Sequence, residues 1–387
     1  MRALLLLLFS FCAASEGLLA PLMKVEEKIE GRYLIKIKDN FNVDTVVSGI
    51  RNNPFFYSIG GRVNVVYRHA VKGFSAQLSD RALDMVRKLH SVEYVTEDAV
   101  MRAMYEVDSW GIDRVDQRFL PLDDDYSPKY DGSGATVYII DTGVRPTHVD
   151  VAGRCSVGAD MVDPEDPTDP AYGIDCHGHG SHCSGVAGGT LYGIAKNVEL
   201  VGVRVLGCRG AGSTEQVVGG MDWVTANAIK PAVASMSLGG GGNQMTDDAA
   251  TGMKNAGITV IAAAGNSARD ACNTSPARSD DVTTVGATSL NDTRAAYSNH
   301  GPCVDIFAPG TLIKSIWNND DTDTRSVSGT SMACPHVAGA AALYLGQNQQ
   351  ASPAVVKAFL LNSATPGLVG NAKVPDENNR FLYVEHA

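Results

Sequence analysis

The feature that most constrains this chain is a regular alternation of short apolar strands with helical stretches, which begins near residue 107. TVYIID, VELVGVRVL, AVASMSLG and ITVIAAAGN are typical of buried strands, and VVGGMDWVTANA and ATGMKNA have the spacing of helices. Strands that alternate with helices form a parallel sheet whose two faces are both covered. The sequence therefore predicts an α/β fold of three layers, in which helices flank a mainly parallel sheet.

The residues before this alternation carry a different pattern. Residues 32–38 alternate as a strand and residues 43–50 have helical spacing, and the later strand, strand, helix and strand are predicted at 63–67, 73–78, 80–89 and 92–95. This order of elements predicts a small ferredoxin-like α+β domain. Because no linker or repeat separates the two patterns, the boundary rests on the change of pattern alone, which puts it near residues 102–105, and we place it between residues 103 and 104.

The first fifteen residues have the composition of a secretory signal peptide. A single positive charge at Arg2 precedes the apolar run Ala3–Leu8, and small residues follow at 13–15. The run is too short to span a bilayer, and no later segment approaches the roughly 18 unbroken apolar residues of a membrane helix. We expect residues 1–15 to be removed and the remainder to be secreted as a monomer without a membrane anchor.

The formal net charge is −11, and the whole acidic excess lies in residues 104–387, since the residues before them carry more basic than acidic side chains. Nucleic-acid binding needs a basic surface that neutralises phosphates, so this charge argues against a nucleic-acid partner. An acidic surface that keeps a secreted protein soluble is a sufficient explanation of the excess.

Secretion changes how the cysteines are interpreted, because an oxidising compartment favours disulfides over metal sites. Cys12 leaves with the signal peptide. The cysteines that remain are Cys155, Cys176, Cys183, Cys208, Cys272, Cys303 and Cys334. Their number is odd, so at least one thiol stays free or pairs outside the chain.

The first candidate for chemistry, Asp141, is the last residue of the predicted strand TVYIID. In an open parallel sheet the reactive groups lie past the carboxyl ends of the strands. An aspartate at such a place also commonly caps a turn, and that interpretation stays open. The sequence DTG would suit an aspartic protease, but that class needs a second carboxylate in a matching context, and the chain has none.

The second candidate lies in residues 175–183, which hold three histidines and two cysteines. A zinc site is the obvious alternative, but His179 and His182 are three residues apart with no acidic ligand after them, and the chain has no HExxH motif. We interpret His182 as a core histidine. His179 stands between two glycines, which would let backbone and substrate approach its ring closely.

The third candidate is Ser331, within SGTSMACPHVAG. Proline is tolerated in the first turn of a helix, so Pro335 predicts that Ser331 lies at or near a helix N-terminus. Free backbone N–H groups and the helix dipole favour a developing oxyanion there. The alternative is a simple serine N-cap, which does not require Gly329 or the small residues around it.

Four motifs, DTG, GHGSHCSG, AAAGN and SGTSMACPHVAG, occur in this order along the chain. Their order and separations resemble those of the subtilisin-like serine proteases, the peptidase S8 family, and in particular its proteinase K subfamily. Residues 16–103 are similar to the inhibitory I9-type propeptide of that family, and residues 104–387 to its catalytic domain. The resemblance implies the subtilisin-like fold and a secreted serine endopeptidase, made as an autoprocessed zymogen that needs no cofactor for catalysis.

The same resemblance implies a role for each motif. Ser331 would attack the scissile carbonyl, His179 would take and return the proton, and Asp141 would orient His179. The side chain of Asn266 and the backbone N–H of Ser331 would form the oxyanion hole. Ser181 stands where the family more often has threonine, a change that keeps the hydroxyl.

The resemblance also implies how most cysteines pair. The implied disulfides are Cys176–Cys208 and Cys272–Cys303, and the pairing of Cys155, Cys183 and Cys334 stays open. Cys183 resembles a buried structural cysteine of the proteinase K subfamily. Cys334 stands where threonine is usual, and a thiol there would be sensitive to oxidation only if it were exposed.

Substrate binding by this resemblance would use backbone pairing and a small pocket. Gly210, Ala211 and Gly212 would pair with the substrate as an added edge strand. The pocket walls would be Ser237, Leu238, Gly239, Gly240, Ala263, Ala264 and Gly265. These walls are small and contain no acid, so we expect protein and peptide substrates with an apolar or aromatic residue before the cut.

Two further kinds of site are implied. The carboxylate of Asp305 and the main-chain carbonyls of Asp280 and Val282 match a structural calcium site of the proteinase K subfamily, and oxygen ligands of this kind suit calcium. A turn cap is the alternative role of Asp305. Asn273 and Asn291 begin N-glycosylation sequons, which are usable in a eukaryotic secretory pathway.

Two other functions compete with the endopeptidase. A self-cleaved binding protein on a protease fold would retain its propeptide in a closed cleft, and co-purification of the propeptide would distinguish it. A lipase-like α/β-hydrolase would need Gly-x-Ser-x-Gly and the order serine, aspartate, histidine. This chain has the order aspartate, histidine, serine and GTSMA at the nucleophile, which argues against that class.

Overall fold

We describe the fold from a computed structural model of the chain. It describes residues 19–25, 28–102, 110–163 and 167–385, without the side chains of residues 100–102. The predicted signal peptide, residues 1–15, and the boundary predicted between residues 103 and 104 lie outside the described residues. In the part described, no helix is long and apolar enough to cross a membrane.

The N-terminal part follows the predicted order of elements. Its strands are β1 (Leu22–Met23), β2 (Lys28–Ile37), β3 (Gly61–Tyr67), β4 (Gly73–Leu78) and β5 (Val92–Arg102), and its helices are α1 (Val43–Arg51), α2 (Pro54–Ser58) and α3 (Asp80–Arg87). The sheet order is β1-β5-β2-β4-β3. The short helix α2 was not predicted; Asn53 caps it by accepting a hydrogen bond from Phe55 N at 3.0 Å.

The remaining elements alternate as the sequence predicts. The strands are β6 (Thr136–Asp141), β7 (Cys155–Asp160), β8 (Glu199–Arg204), β9 (Ala211–Ser213), β10 (Ala232–Met236), β11 (Gly240–Gly241), β12 (Ile258–Ala263), β13 (Thr274–Ser275), β14 (Thr283–Thr288), β15 (Ile306–Pro309), β16 (Ile313–Ile316), β17 (Thr324–Val327), β18 (Thr365–Pro366) and β19 (Arg380–Phe381). The helices are α4 (Gly111–Val115), α5 (His179–Gly188), α6 (Thr214–Asn227), α7 (Gln244–Asn255), α8 (Thr330–Gln347) and α9 (Pro353–Ser363).

A nine-stranded sheet forms the centre of this part, in the order β18-β19-β15-β14-β12-β10-β6-β8-β7. Every neighbouring pair from β19 to β7 is parallel, and β18 is antiparallel to β19. The predicted α/β class with a mainly parallel sheet is confirmed. Because β6 lies between β8 and β10, its carboxyl end opens at the middle of the sheet edge.

Strand β6 shows why these residues form a central strand. All six of its residues are buried, as expected for a parallel strand covered on both faces. Val137 and Ile139 pack into one core cluster, whereas Tyr138 and Ile140 pack into a second cluster on the opposite face. Successive side chains point to opposite faces of a strand, so this single apolar run contributes to both cores.

Among the described residues there are two disulfides, Cys176–Cys208 and Cys272–Cys303, with S–S distances of 2.06 and 2.13 Å. They are the two pairings that the sequence resemblance implies. Cys155, Cys183 and Cys334 are not in disulfides, and Cys183 and Cys334 are buried.

A buried ion pair fastens α4 to the turn after β14. Nε of Arg114 is 2.8 Å from Oδ1 of Asp292 and Nη2 is 3.0 Å from Oδ2, so the contact is bidentate. The Arg114 side chain is fully buried, and its guanidinium lies 4.4 Å from the ring centre of Phe381. Nη1 of Arg114 also donates to the carbonyl of Gln117. A charge with this many partners is costly to leave unpaired.

We expect Arg114→Met to lower the free energy of unfolding by about 3–5 kcal/mol, because Asp292 keeps its charge without a partner. Urea unfolding of the purified chain, followed by tryptophan fluorescence, measures the loss. Lys129→Met is the matched control, because it breaks an exposed lysine–Glu385 pair that is worth about 0–1 kcal/mol. Equal losses in the two variants would contradict the proposed importance of the buried pair.

Candidate active site

Asp141 and His179 meet at the carboxyl end of the central strand. Asp141 is the last residue of β6, and His179 is the first residue of α5. Nδ1 of His179 lies 2.7 Å from Oδ1 of Asp141, and both side chains are fully buried. The same Oδ1 accepts a hydrogen bond from the backbone N–H of Thr142 at 2.7 Å. The carboxylate therefore fixes the orientation of the imidazole.

The Asp141 carboxylate also sets the electrostatics of His179. Burial alone would lower the pKa of the imidazole, but the adjacent carboxylate outweighs it and raises the pKa of His179 well above its usual value. With Nδ1 turned to Asp141, Nε2 is the ring nitrogen left for other chemistry. Among the described atoms, this buried Nε2 has no hydrogen-bond partner.

Asp175 organises the loop that presents His179. Its Oδ1 accepts from the backbone N–H groups of His177 and Gly178 at 2.9 and 2.8 Å. Its Oδ2 accepts from the N–H and the hydroxyl of Ser181 at 2.8 and 2.7 Å. Gly178 occupies the N-cap of α5 and has no side chain, so Asp175 caps the helix from outside. Sequence reasoning missed this residue, although an aspartate ahead of a helix start is a recognisable capping signal.

The two glycines beside His179 have a different role from the one expected. Gly178 has a φ of 108°, and a Cβ there would overlap the ring of Trp317. A Cβ on Gly180 would overlap the carbonyl oxygen of Gly143. The glycines therefore let this loop pack against the protein itself, while the approach of a substrate to the His179 ring stays a prediction.

Ser331 is the second residue of α8, close to the predicted helix N-terminus. Pro335 is the sixth helical residue and lies beyond the first turn, which corrects the reasoning from its position. Because proline has no N–H, it leaves the carbonyl of Ser331 without its helical partner. That carbonyl accepts instead from the hydroxyl of Ser237 at 2.7 Å and from the thiol of Cys183 at 3.5 Å.

These contacts bring Ser331 and His179 together. The Cys183 sulfur that contacts the Ser331 carbonyl also lies 3.9 Å from Nδ1 of His179. Oγ of Ser331 donates to the carbonyl of Ser237 at 3.0 Å, so serines 237 and 331 exchange two hydrogen bonds. Sequence reasoning assigned Ser237 to a pocket wall and missed this exchange.

Asn266 faces the start of the same helix. Its Oδ1 accepts from the backbone N–H and the hydroxyl of Thr330, each at 2.8 Å. Both contacts use the carbonyl end of the amide, so the Nδ2 donor end points elsewhere. Asn299 holds the following residues, because its Oδ1 accepts from the N–H groups of Ser267 and Arg269 at 3.0 and 3.1 Å. Asn299 lies outside the four motifs and Thr330 lies within one of them, and sequence reasoning assigned a supporting role to neither.

A cavity of about 300 Å³ adjoins Ser331 and Asn266. The expected wall residues that line it are Ser237, Leu238, Gly239, Gly240, Ala263 and Gly265. Ala264 is buried and does not line the cavity, which corrects its assignment. Arg269, Thr274 and Asn299 also line the cavity, so its wall is more polar than the sequence indicated.

The expected edge strand is already paired within the chain. Strand β9 pairs antiparallel with β5, with Val100 opposite Ser213 and Met101 opposite Gly212. Arg102 stands opposite Ala211. Gly210 precedes β9 with a φ of 66° and is outside the strand. The last strand of the N-terminal part thus occupies the position where an extended peptide would add to the sheet.

Cys183, Cys334 and His182, which also belong to the motifs, have the surroundings of structural residues. Burial raises the pKa of the Cys183 thiol, and it raises the pKa of Cys334 to about 12. Cys334 donates to the carbonyl of Ile261 and is fully buried, so the exposure that would make it reactive is absent. His182 is buried with its Nε2 2.9 Å from the Ile313 carbonyl, as a core histidine.

The residues predicted to bind calcium meet, but they do not fit a calcium ion. The carbonyls of Asp280 and Val282 and Oδ2 of Asp305 surround Nζ of Lys357 at 3.2, 2.6 and 2.9 Å. An ammonium group stands where the ion would have to lie, so this arrangement disagrees with the calcium prediction for these residues. No local pattern indicated this contact, because Lys357 is 52 residues beyond Asp305.

The two glycosylation predictions fall on the surface. The side chains of Asn273 and Asn291 are exposed. Oδ1 of Asn291 accepts from the hydroxyl of Thr293, the third residue of its own sequon. Glycosylation at both positions stays a prediction.

Comparison with protein families gives two matches along the chain. Residues 132–382 match the subtilase family of peptidases, and residues 53–104 match the peptidase inhibitor I9 family. The subtilase match contains Asp141, His179 and Ser331. The I9 match ends beyond β5, the strand that pairs with β9.

Named relatives point the same way. The chain is 47% identical over 335 residues to alkaline serine exoprotease A of Vibrio alginolyticus, with 84% of this chain and 61% of that protein covered. It is 44% identical to an extracellular serine proteinase of Thermus sp. strain Rt41A, with 91% and 90% covered. It is 37% identical to proteinase R of Parengyodontium album, with 91% and 89% covered. The chain thus spans less than two thirds of the first of these relatives.

A solved structure supports the fold. A cold adapted subtilisin-like serine proteinase is 48% identical to this chain and superposes with a TM-score of 0.68, covering 72% of this chain and 98% of that one. These comparisons agree with the parallel sheet and with the position of Asp141, His179 and Ser331 at its edge. The chain belongs to the subtilase family of serine proteases and carries a peptidase inhibitor I9 region in its N-terminal part.

Proposed function

We propose that this chain is the precursor of a secreted serine endopeptidase that removes its own propeptide and then hydrolyses proteins. The observation that carries the proposal is the buried hydrogen bond of 2.7 Å between His179 and Asp141 beside Ser331. An aspartate, a histidine and a serine in this relation are the parts that acyl transfer to a serine requires. The names of the relatives, which describe serine proteases, support the same chemistry.

The reaction would begin with a rotation of the Ser331 side chain. Its hydroxyl donates to the Ser237 carbonyl in the uncut chain, and a rotation about χ1 would turn it toward Nε2 of His179. Catalytic hydrogen bonds often form only in the complex with substrate. Nε2 then takes the hydroxyl proton as Oγ attacks the scissile carbonyl, and it returns the proton to the leaving amine. Asp141 stabilises the imidazolium in between.

The negative charge of the tetrahedral intermediate would be stabilised by two donors. One is the backbone N–H of Ser331, which lies in the first turn of α8, where N–H groups lack helical partners. The other is Nδ2 of Asn266, whose direction is set because Thr330 holds the opposite end of the amide. Preorganised donors of this kind typically contribute about 10²- to 10³-fold in rate each.

The substrate would bind as a strand beside β9, with the residue before the cut in the cavity next to Ser331. Backbone pairing reads sequence weakly, which supports broad specificity. Leu238, Ala263 and the glycines of the cavity wall favour an apolar or aromatic side chain. Arg269 adds a positive charge to the lining, so we expect no preference for lysine or arginine at this position.

We further propose that residues 1–15, 16–103 and 104–387 are signal peptide, inhibitory propeptide and catalytic domain. The I9 match to residues 53–104 supports the second boundary. The pairing of β5 with β9 supports inhibition, since a substrate strand would need the same edge. An ion pair also crosses between the parts, because Nη2 of Arg32 contacts the carboxylate of Glu215 in α6. The same Nη2 is 2.8 Å from Oδ2 of Asp98, which lies in the N-terminal part with Arg32.

Ser331→Ala should leave an uncut precursor, because the self-cleavage needs the hydroxyl. The measurement is a denaturing gel of the secreted product, together with casein hydrolysis in the presence and absence of phenylmethylsulfonyl fluoride. The parent chain should mature and digest casein until the inhibitor is added. As a control for folding, active enzyme added in trans should cut the variant.

Normal maturation of the Ser331→Ala precursor without added protease would refute self-processing. If the parent chain cuts itself once, retains its propeptide and digests nothing, the protein is the self-inhibited binding protein instead.

The pH dependence should reflect the raised pKa of His179. Only the neutral imidazole accepts the serine proton, so kcat/KM should rise with pH through a value above 6.5. Asp141→Asn removes the charge that raises this pKa and leaves the burial that lowers it, so the acid limb should move to lower pH while kcat falls by about 10⁴-fold. Asp320→Asn, at an exposed aspartate, should leave the profile unchanged. An unmoved acid limb in Asp141→Asn would contradict the assignment.

Asp98→Ala should weaken the hold of the propeptide. Asp98 is almost fully buried, and its Oδ1 caps the N-terminus of α6 by accepting from the N–H of Glu215 at 3.1 Å. Truncating a buried charge with such partners typically costs at least about 2 kcal/mol, or roughly 30-fold in dissociation constant. The measurement is the amount of propeptide that co-purifies with the cut enzyme. Lys28→Ala, which breaks an exposed pair with Glu30, is the control and should change nothing.

A further inference from the structure

The three oxygens around Lys357 form a cation site that is filled from within the chain. They are two main-chain carbonyls, of Asp280 and Val282, and one carboxylate oxygen of Asp305. An ammonium group has three N–H donors and no acceptor, so it matches three oxygens one to one. The site has the chemistry of a calcium site, but its cation is a lysine.

We infer that the ammonium of Lys357 is the permanent structural cation of this site and that calcium does not bind there. Calcium would have to lie about 2.3–2.6 Å from the same oxygens. These oxygens are only 2.6–3.2 Å from Nζ, so the ion and the ammonium would overlap. Two cations at such a separation also repel each other strongly, because the site is partly buried. Occupation by lysine and occupation by calcium therefore exclude each other.

The position of Lys357 explains why it can replace an ion. It projects from α9, while Val282 precedes β14 by one residue and Asp305 precedes β15 by one residue. Asp305 is itself fixed, since its Oδ2 also accepts from the N–H of Thr284 at 2.8 Å. The lysine thus fastens two neighbouring strands of the central sheet to a helix, as a bound ion would do.

The local charges agree with a tethered cation. Side chains of Lys357 and Asp305 are only 24% and 22% exposed, so solvent screens their attraction less than at an open surface. Next to them, Nζ of Lys254 is 2.7 Å from Oδ1 of Asp281. Two lysines therefore already neutralise most of the negative charge of this loop, which leaves little attraction for a divalent ion.

The site also connects to the substrate pocket along the chain. Strand β13 pairs with β11, and both strands contribute residues to the cavity lining. The segment after β13 turns back to β14, where the hydroxyl of Thr284 donates to the carbonyl of Ala277 at 2.6 Å. Lys357 holds the far end of this segment. The end of the segment next to β14 is therefore held in place without a metal ion from the medium.

The test compares calcium binding in three chelator-stripped proteins, each inactivated with phenylmethylsulfonyl fluoride to prevent autolysis. They are the parent enzyme, Lys357→Ala and Lys254→Ala, and isothermal titration calorimetry counts their calcium sites. Lys357→Ala should bind one calcium ion more than the parent, because the three oxygens become free for a metal. Lys254→Ala should bind no more than the parent, although it too exposes a carboxylate on this loop.

Thermal unfolding gives a second readout in the same samples. In chelator, Lys357→Ala should melt several degrees below the parent, and calcium should restore more of this loss than it adds to the parent or to Lys254→Ala. If Lys357→Ala gains no site, or if Lys254→Ala gains one as well, the inference fails.

A second variant, which keeps Lys357, tests the inference even if the alanine variant misfolds. Asp305→Asn in the parent background removes the only carboxylate among the three oxygens while the lysine remains. The inference requires that this change leave the number of calcium sites unaltered. Loss of one site in Asp305→Asn would show that calcium binds here in the parent and would overturn the inference.

Discussion

The buried hydrogen bond between Asp141 and His179 is the interaction on which the rest of this structure depends. Both side chains are fully buried, so the protein must supply the hydrogen-bond partners that water would otherwise provide. The sheet fixes one side, because β6 is paired with strands on both of its edges. Asp175 fixes the other side by collecting the free donors at the start of α5. Hydrogen bonds of the sheet and of Asp175 therefore hold the buried pair from both sides.

Ser331 depends on a defect in its own helix. Pro335 cannot donate to the Ser331 carbonyl, and a buried carbonyl without a partner would be costly. The hydroxyl of Ser237 takes that place, so the end of β10 and the start of α8 are joined by two reciprocal hydrogen bonds. A tertiary hydrogen bond from Ser237 thus replaces the helical hydrogen bond that Pro335 cannot make.

The sequence predicted the parts of this molecule that depend on local pattern. The limits of β6 and the order of the N-terminal elements follow from periodicity, and the motifs led to Asp141, His179 and Ser331. Residues that act through distant contacts were missed. Asn299 supports a loop some 30 residues away, and Lys357 reaches a loop 75 residues away, which no local pattern encodes. Asp175 was missed for another reason, since a cap outside the helix does not disturb the apolar period.

The N-terminal part also reaches the cavity beside Ser331. Val25 and Ala99 line the cavity beside Ser331, and both belong to the N-terminal part. The N–H of Val25 donates to Glu97, so the segment before β2 is held against β5, the strand that covers β9. Departure of the N-terminal part would therefore open the pairing edge and remove two apolar side chains from the pocket wall in one step. On the proposed function, the N-terminal part would thus block the backbone subsites and narrow the side-chain pocket, and its removal would end both effects together.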